Sequence, residues 1–295
     1  MDKRITVFTP TYNRADLLPN LYESLLRQSS RDFLWLIIDD GSTDNTRQVV
    51  QPWIREGKIE IRYVCKENGG LHTGYNKAIE LMDTELSICI DSDDYLTDDC
   101  IASVLEYWDA HKTPDTAGLI GLDIHPDGRV ISGNLPDVKQ INPIALMTSK
   151  NNGDRKYVVR NDCYREVYPM PVFEGEKNFN PHYLILKLCR KYRFLVLNQP
   201  LCVVNYQPDG MSANIFRQYL NSPRSFAELR KVIMDNPTVP LWYLFRTTIH
   251  YVSSSILSGN RHFLKESPKK LLTVLAIPFG AALSVYIRFR ANQNA

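Results

Sequence analysis

Three aspartates, Asp91, Asp93 and Asp94, stand within four residues of one another, with Ser92 between the first two. They follow directly on an apolar run, Leu86–Ile90, that has the composition of a buried strand. Carboxylates this close repel one another where water is scarce, and a divalent cation relieves the repulsion. Carboxylate oxygens suit Mg²⁺ or Mn²⁺, which also take diphosphate oxygens and waters as ligands. The cluster therefore predicts a site for a metal and a diphosphate, although a solvated turn before a helix could have the same composition.

A second polar cluster, Asp39-Asp40-Gly41-Ser42, follows another apolar run. Asp-Gly is a turn signal and Ser42 could cap the next helix, so the pattern has an ordinary structural explanation. At the end of a strand, however, the same carboxylates could accept hydrogen bonds from a nucleobase N–H or a ribose hydroxyl. The cluster is therefore also a candidate nucleoside site.

Two further polar clusters, Thr9–Arg14 and Asn68–His72, contain candidates for the same ligand. The ring of Tyr12 could stack on a base, or could be an aromatic residue at the edge of the core. His72 and Lys77 could face phosphate, although a lone histidine is more often an ordinary loop or helix residue. Together the clusters offer groups for each part of a nucleotide.

The elements that must position these clusters alternate between strand and helix over the first 110 residues. Four strands are predicted, at Ile5–Thr9, Phe33–Ile38, Ile59–Val64 and Leu86–Ile90. This order predicts a mostly parallel α/β sheet with helices on both faces. Ligands of such sheets bind at the carboxyl ends of the strands, where all four polar clusters fall.

The rest of the chain has a different pattern. Short strands separated by loops rich in Pro, Gly and Asn are predicted as far as about residue 205, with one helix at His182–Lys191. Two of the strands are expected at Phe194–Leu197 and Cys202–Tyr206. After Asn214 the pattern is helical, with apolar stretches.

The composition excludes several classes of protein. The chain is 44% hydrophobic and 23% charged, as expected of a globular protein. Its formal net charge of +2 argues against nucleic acid as a partner, since neutralising phosphates needs a strong basic excess. The six widely spaced cysteines favour reduced packing residues over disulfides, and the charged start, Met1–Arg4, predicts no signal peptide. A cytoplasmic location is expected.

The four clusters resemble the loops of family-two inverting glycosyltransferases of the GT-A fold, of the kind that assembles bacterial surface polysaccharide. The matching stretches are PTYNR (10–14), DDGSTDNT (39–46), NGG-HT-YNKAI (68–79) and DSDD (91–94). The resemblance is dense over residues 3–110 and thinner to about 214. It implies a Rossmann-like catalytic domain over 1–214, with a nucleotide-binding half at 1–110 and an acceptor-binding half at 111–214. Residues 215–295 would then be a C-terminal helical appendage.

The resemblance also implies a nucleotide-sugar donor, usually a UDP-sugar, and a glycan or lipid-linked acceptor. It assigns the base and ribose to Pro10, Tyr12 and Asp40, with Asp39 supporting. It makes Asp91-Ser92-Asp93 the DxD motif. In that motif Asp93 is expected to bind Mn²⁺ or Mg²⁺ directly, and Asp91 to lie near the ribose or behind the metal. The remaining donor-binding candidates are Arg14, His72, Asn76 and Lys77.

An inverting enzyme needs a carboxylate that deprotonates the acceptor hydroxyl. The resemblance places it after the sheet, at the start of a helix and often in a Glu-Asp pair, where this chain has Glu174-Gly175-Glu176-Lys177. Lys177 stands where the family often has Asp, so the match is incomplete. We expect Glu176 to be the base and Glu174 to be its reserve, unless both are exposed loop residues. The segment 207–212 resembles a family loop that could close over the donor.

The C-terminal region has a strongly apolar stretch, Leu271–Ile287, without any charged residue. Lys269 and Lys270 precede it, and Arg288 and Arg290 follow it. It lies at the short limit for a helix that spans a bilayer. Its basic flanks favour peripheral or re-entrant attachment to a membrane surface over a spanning hairpin or helices packed on the catalytic domain.

Two other functions remain open from the sequence. A nucleotidyltransferase that makes nucleotide-sugars uses a similar sheet and metal, but generally has a glycine-rich basic loop after the first strand. Here that loop, Pro10–Arg14, contains no glycine. The other alternative is a catalytically inactive, membrane-bound partner subunit, which the intact DSDD stretch disfavours and Lys177 keeps open.

Overall fold

The computed structural model describes residues 3–149, 153–207 and 214–293. The chain forms two compact units. The first contains Met1–Gly69, Thr73–Pro169 and Lys191–Gln207, and the second contains Gly70–His72, Met170–Arg190 and Pro208–Ala295. The structure thus groups Met170–Arg190 with the C-terminal helices, whereas the sequence predicts a boundary at residue 214. That boundary stays a prediction.

The first unit is built on a nine-stranded mixed sheet with the order β3-β2-β1-β4-β8-β6-β9-β5, in which β7 also pairs with β9. The strands are β1 (Ile5–Thr11), β2 (Phe33–Asp39), β3 (Ile61–Cys65), β4 (Leu86–Cys89), β5 (Tyr95–Leu96), β6 (Thr116–Ile124), β7 (Gln140–Ile141), β8 (Arg155–Arg160) and β9 (Arg193–Val203). Strands β1 to β4 pair in parallel, as predicted. Strand β8 pairs antiparallel with β4 and β6, whereas β6 and β9 are again parallel, so the sheet is mixed beyond β4.

Six helices accompany this sheet along the chain. They are α1 (Leu18–Arg27), α2 (Thr46–Glu56), α3 (Leu71–Leu81), α4 (Cys100–His111), α5 (Pro143–Met147) and α6 (Asn161–Val167). The apolar residues of α1 recur at helical spacing and are buried, which explains why this segment folds as an amphipathic helix. Within the core, the rings of Tyr22 and Trp53 stack with centroids 4.3 Å apart.

Two differences from the predicted strands have physical reasons. The runs Phe194–Leu197 and Cys202–Tyr206 are not separate strands, because the residues between them stay paired with β6; β9 runs from Arg193 to Val203 and ends short of Tyr206. The short β5 was not predicted, since it follows the acidic cluster at once and has only two residues. It pairs antiparallel with the end of β9.

The second unit is helical, as predicted for the chain after Asn214. Its helices are α7 (His182–Leu188), α8 (Ile215–Asn221), α9 (Pro223–Met234), α10 (Leu241–Leu257), α11 (Phe263–Glu266) and α12 (Lys270–Gln293). Its small core includes Met234, Tyr251, Val252 and Ala276. Among the described residues, only α12 is long and apolar enough to cross a membrane, with a mean hydropathy of 1.8.

Candidate active site

The polar clusters of the first unit lie at one edge of its sheet. Strand register pairs Thr11 with Asp39 and Asp39 with Cys65, so β1, β2 and β3 end side by side. Strand β4 pairs with the other side of β1 in the same direction. Parallel strands present their carboxyl ends together, and the loops after all four therefore share this edge.

The first two loops are tied together through Asn13, which has a left-handed backbone with φ of 51°. Its side-chain oxygen accepts hydrogen bonds from the backbone N–H groups of Thr43, at 2.7 Å, and Asp44, at 3.3 Å. Its own N–H donates to the Ser42 hydroxyl at 2.9 Å. The neighbouring Tyr12 is 46% exposed. A fixed loop thus presents this ring to solvent, as stacking on a base requires.

Asp39 is buried at the end of β2. Its carboxylate accepts hydrogen bonds from the Tyr63 hydroxyl and from the Ser42 N–H, the latter at 2.8 Å. Burial raises the pKa of Tyr63, and the hydrogen bond to Asp39 raises it further. Asp39 therefore organises the loop, and its supporting role at the base and ribose stays a prediction.

Asp40 is also buried, and it forms an ion pair with Lys66. The same carboxylate oxygen accepts the Gly69 N–H at 3.0 Å. The Lys66 amine also donates to the Thr73 hydroxyl at 2.7 Å. Lys66 was missed by the sequence reasoning, although its position directly after the third strand places it at the edge where ligands bind. It fixes Asp40 against the third loop.

The acidic loop after β4 contains carboxylates in different surroundings. Asp91 is exposed, Asp93 is half-buried and Asp94 is buried. Asp94 accepts a hydrogen bond from the Asn205 N–H at 3.1 Å and lies 3.7 Å from the amine of Lys156. Burial raises the pKa of Asp94 to about 7, and Lys156 opposes that rise. Asp94 therefore belongs to the support beneath the loop.

Lys156 is itself buried between two carboxylates, because its amine also lies 3.8 Å from Asp123. Burial raises the pKa of Asp123 to about 6. This arrangement was not predicted, since Lys156 and Asp123 lie in strands far along the chain from the acidic loop. It places one positive charge beneath a cluster of negative ones.

The exposed half of the acidic loop fits a divalent cation that takes most of its ligands from a substrate. Desolvation by surrounding protein atoms raises the pKa of Asp91 although its side chain is exposed; Lys156 opposes the rise, and the charge of Asp93 adds to it. Across 3–149, 153–207 and 214–293, no group of three or more His, Cys, Asp or Glu side chains could hold a metal ion. Mg²⁺ typically takes one or two carboxylates and completes its shell with phosphate oxygens and water. Asp91 and Asp93 suit that kind of site.

The other donor-binding candidates have varied surroundings. Pro10 is buried in β1, and Arg14 and Asn76 are half-buried. The amine of Lys77 donates to Glu80 at 3.0 Å, one helical turn away. His72 belongs to the second unit and is fully buried, with its ring 5.9 Å from that of Phe179. Its burial gives no support to the predicted phosphate contact.

The two candidate bases both lie in the second unit and differ sharply. Glu176 is buried, and its Oε1 accepts hydrogen bonds from the N–H and the Nε of Arg224, at 2.9 and 3.0 Å. Its Oε2 accepts the N–H and the hydroxyl of Ser225, at 2.8 and 2.7 Å. The carboxylate thus caps the first turn of α9, where negative charge is favourable. Glu174 is exposed. The predicted segment 207–212 lies outside the described residues apart from Gln207.

Comparison with known proteins gives these loops a context. The model of glycosyl transferase family 2 matches residues 6–128, which include all four clusters. TuaG of Bacillus subtilis (strain 168), named for teichuronic acid biosynthesis, is 34% identical over 104 residues, covering 35% of this chain and 41% of TuaG. The chain spans less than half the length of the first curated relatives it matches.

Solved structures share the fold over nearly the whole chain. Staphylococcus aureus TarS 1–349 in complex with UDP-GlcNAc matches with a TM-score of 0.62 and 18% identity, covering 99% of this chain and 89% of that one. The mannosyltransferase PcManGT of Pyrobaculum calidifontis, in complex with GDP-Man and Mn²⁺, matches with a TM-score of 0.60 and 16% identity, covering 99% and 84%. The predicted α/β class is confirmed. Residues 6–128 are thus similar to glycosyl transferase family 2, and the chain has a fold of the GT-A type.

Proposed function

We propose that the protein is an inverting glycosyltransferase that moves a sugar from a nucleotide-sugar, a UDP-sugar in our proposal, to a glycan or lipid-linked acceptor. The observation that carries this proposal is the edge of the sheet where the DxD motif, the ring of Tyr12 and the Asp40–Lys66 pair lie at the ends of neighbouring parallel strands. The named ligand of TarS, UDP-GlcNAc, supports the donor class. The name of TuaG supports a surface polysaccharide as the product.

In this proposal each loop binds one part of the donor. Tyr12 stacks on the base, because its ring is exposed on a loop fixed by hydrogen bonds. Asp40 accepts hydrogen bonds from the base or ribose, held in place by Lys66. Asp91 and Asp93 would hold Mn²⁺ or Mg²⁺, which supplies positive charge to the diphosphate leaving group. The Mn²⁺ in the PcManGT complex supports that choice.

The chemical step transfers one proton and exchanges one bond at the anomeric carbon. The acceptor hydroxyl loses its proton to a carboxylate of the protein and its oxygen bonds to the anomeric carbon. The bond from that carbon to the diphosphate breaks, and the nucleoside diphosphate leaves with the electron pair. The attack comes from the face opposite the leaving group, which inverts the configuration.

The hydrogen bonds of Glu176 favour Glu174 as the proton acceptor. A carboxylate whose two oxygens already accept four hydrogen bonds would have to give up donors in order to be protonated. Glu174 is exposed, and its carboxylate has no such commitments in the described part of the chain. We therefore place Glu174 first for this role and retain Glu176 as the second candidate.

One observation keeps an inactive partner subunit as a second function. Lys177 occupies the position where the resemblance to the family implies an aspartate, and the adjacent Glu176 is committed to the cap of α9. In such a subunit the donor loops would bind a nucleotide without turnover. Measuring binding and turnover separately distinguishes the two functions.

A donor panel tests the proposal. The full chain is incubated with UDP-, GDP- and TDP-sugars, with Mn²⁺ or with a chelator, and with or without a bacterial membrane lipid extract. Metal-dependent release of a free nucleoside diphosphate supports transfer. Release of pyrophosphate from a nucleoside triphosphate and a sugar phosphate would instead indicate a nucleotidyltransferase. Nucleotide binding without either product would indicate the inactive subunit.

The location belongs to the same proposal. A lipid-linked acceptor would be met at the cytoplasmic face of the plasma membrane, and attachment there would suit the apolar C-terminal helix α12.

A further inference from the structure

The two faces of α12 are the reverse of those of a helix in a water-soluble protein. Its buried face consists mainly of small residues: Thr273, Ala276, Gly280, Ser284, Ile287 and Ala291. Its exposed face includes large apolar ones: Leu271, Val274, Leu275, Phe279, Val285 and Phe289. A helix that folds against a core in water buries its large side chains and exposes its small or charged ones.

Gly280 shows why the buried face must be small. A Cβ atom at this position would lie 2.5 Å from side-chain atoms of Val252 on α10 and 3.0 Å from the carbonyl oxygen of Ile249. Only glycine permits this approach of the two helices. Close approach through small residues is the way helices pack where surrounding lipid is as apolar as their side chains.

The exposed face of α12 is extensive, with Leu271 at 77%, Val285 at 67% and Phe289 at 59% exposure. Scattered apolar residues are common on protein surfaces, but a continuous apolar face along a whole helix marks a surface that is covered by something else.

The charges at the ends of α12 identify what covers it. Lys269 and Lys270 at the start and Arg288 near the end are exposed, and Arg290 lies one turn from Tyr286. No acidic residue lies between Lys269 and Gln293. A face that is apolar along its length and basic at both ends complements a membrane with anionic headgroups.

The neighbours of α12 decide between a helix that spans the membrane and one that lies in its surface. The guanidinium of Arg290 stands over the ring of Phe216 on α8, at 5.2 Å, and α8 also carries the exposed Arg217. On α10, Arg246 is exposed. If α12 crossed the bilayer, these charged neighbours would be drawn into hydrocarbon, which is strongly unfavourable. If it lies in the plane, they can remain on the aqueous side.

We propose that α12 is an in-plane anchor on an anionic bilayer. Its exposed face, Leu271–Phe289, enters the boundary between headgroups and acyl chains, and the basic residues at both ends contact anionic headgroups. This inference rests on the proposed function and deepens it, because it names the surface where the enzyme would meet its acceptor.

Flotation with vesicles tests whether an anionic bilayer covers the exposed face of α12. The full chain should float with vesicles of phosphatidylglycerol and phosphatidylcholine, and much less with phosphatidylcholine alone, and salt should weaken the binding. Val285→Glu places a charge in the exposed face and should lower the bound fraction about tenfold. Val138→Glu adds the same charge at an exposed position of the first unit and should bind like the native chain.

Labelling of the helix ends tests the geometry. Lys270→Cys and Arg290→Cys are reacted with a membrane-impermeant maleimide after binding to sealed vesicles, and each site is read by peptide mass spectrometry. The exposed native Cys65 serves as the internal reference. Both ends should react if α12 lies in the plane. Protection of one end alone would overturn the in-plane arrangement in favour of a spanning helix.

Other outcomes would overturn the anchor itself. A protein that ignores vesicles but forms a concentration-dependent dimer, lost in Val285→Glu, would show that a second copy covers the face. Equal binding by Val285→Glu and Val138→Glu would remove α12 from the contact. Nucleoside diphosphate release by the same preparations is a separate measurement, so a failed anchor and a failed glycosyltransferase would be distinguished.

Discussion

Ser225 donates both its backbone N–H and its hydroxyl to one carboxylate oxygen of Glu176, at 2.8 and 2.7 Å. The other oxygen of Glu176 accepts two hydrogen bonds from Arg224. The Glu176 carboxylate thus caps the first turn of α9. We therefore expect Glu176 to contribute mainly to stability and Glu174 to contribute mainly to catalysis.

The first prediction concerns these two glutamates. Glu176→Gln removes a buried charge that accepts four hydrogen bonds, so we expect a loss of about 1–3 kcal/mol in the free energy of unfolding. Glu174→Gln should leave stability unchanged and lower turnover by about 10²–10⁴-fold. Urea unfolding and nucleoside diphosphate release measure the two effects, with the exposed Glu106→Gln as control. Full activity in Glu174→Gln, with turnover lost in a folded Glu176→Gln, would return the base to Glu176.

The second prediction concerns the metal. Asp93→Asn should abolish Mn²⁺- or Mg²⁺-dependent transfer and weaken donor binding, because the proposed site has only two carboxylates to offer. The exposed Asp99→Asn, whose side chain makes no capping hydrogen bond, is the matched control and should behave as the native protein. Metal titrations of activity and of donor affinity provide the measurement. Near-normal metal-dependent turnover in Asp93→Asn would contradict the assignment.

The third prediction concerns the ion pair of Lys66 with Asp40. Lys66→Met removes the positive charge that pairs with a buried carboxylate, which typically costs about 3–5 kcal/mol in deeply buried pairs and should cost less here because Lys66 is partly exposed. Donor affinity should fall as Asp40 is released. The double variant Lys66→Met, Asp40→Asn should regain part of the lost stability but none of the affinity. Additive losses of stability in the double variant would show that the two side chains act independently.

The fourth prediction concerns pH. Burial, together with the charges of the nearby Arg230 and Arg246, lowers the pKa of His250 to about 4. Between about pH 6.5 and pH 4 the unfolded chain therefore binds a proton at this position that the folded chain does not. The free energy of unfolding thus decreases as the pH is lowered through that range. The contribution is about 1–3 kcal/mol. The difference in unfolding free energy between the native chain and His250→Gln should change between pH 7 and pH 5, and a constant difference would exclude this role.

Local signals were sufficient to predict the parallel strands β1 to β4 and the edge where the polar loops meet. Strands β1, β2 and β4 are apolar runs followed closely by their own clusters, so both the element and its ligand-binding end can be located within a few residues. The supports beneath the loops could not be predicted in this way. Lys156 reaches Asp94 from a distant strand, and Ser225 reaches Glu176 across 49 positions, so no local pattern records either contact.

The helix α12 shows a similar limit. Its apolar composition and basic flanks are evident in the sequence, and they indicate a membrane surface. Which residues face outward depends on the helix it packs against. The close approach at Gly280 exists only once α10 is in place.

The acidic loop is held at both ends by the sheet, since it leaves β4 and enters β5, which pairs with β9. A loop clamped in this way cannot change its length without shifting two strands. Insertions and deletions among homologous chains should therefore avoid 90–94 and collect in exposed turns such as Asp127–Gly128. Divergence of this lineage would then proceed by remodelling such turns around an acidic loop of constant length.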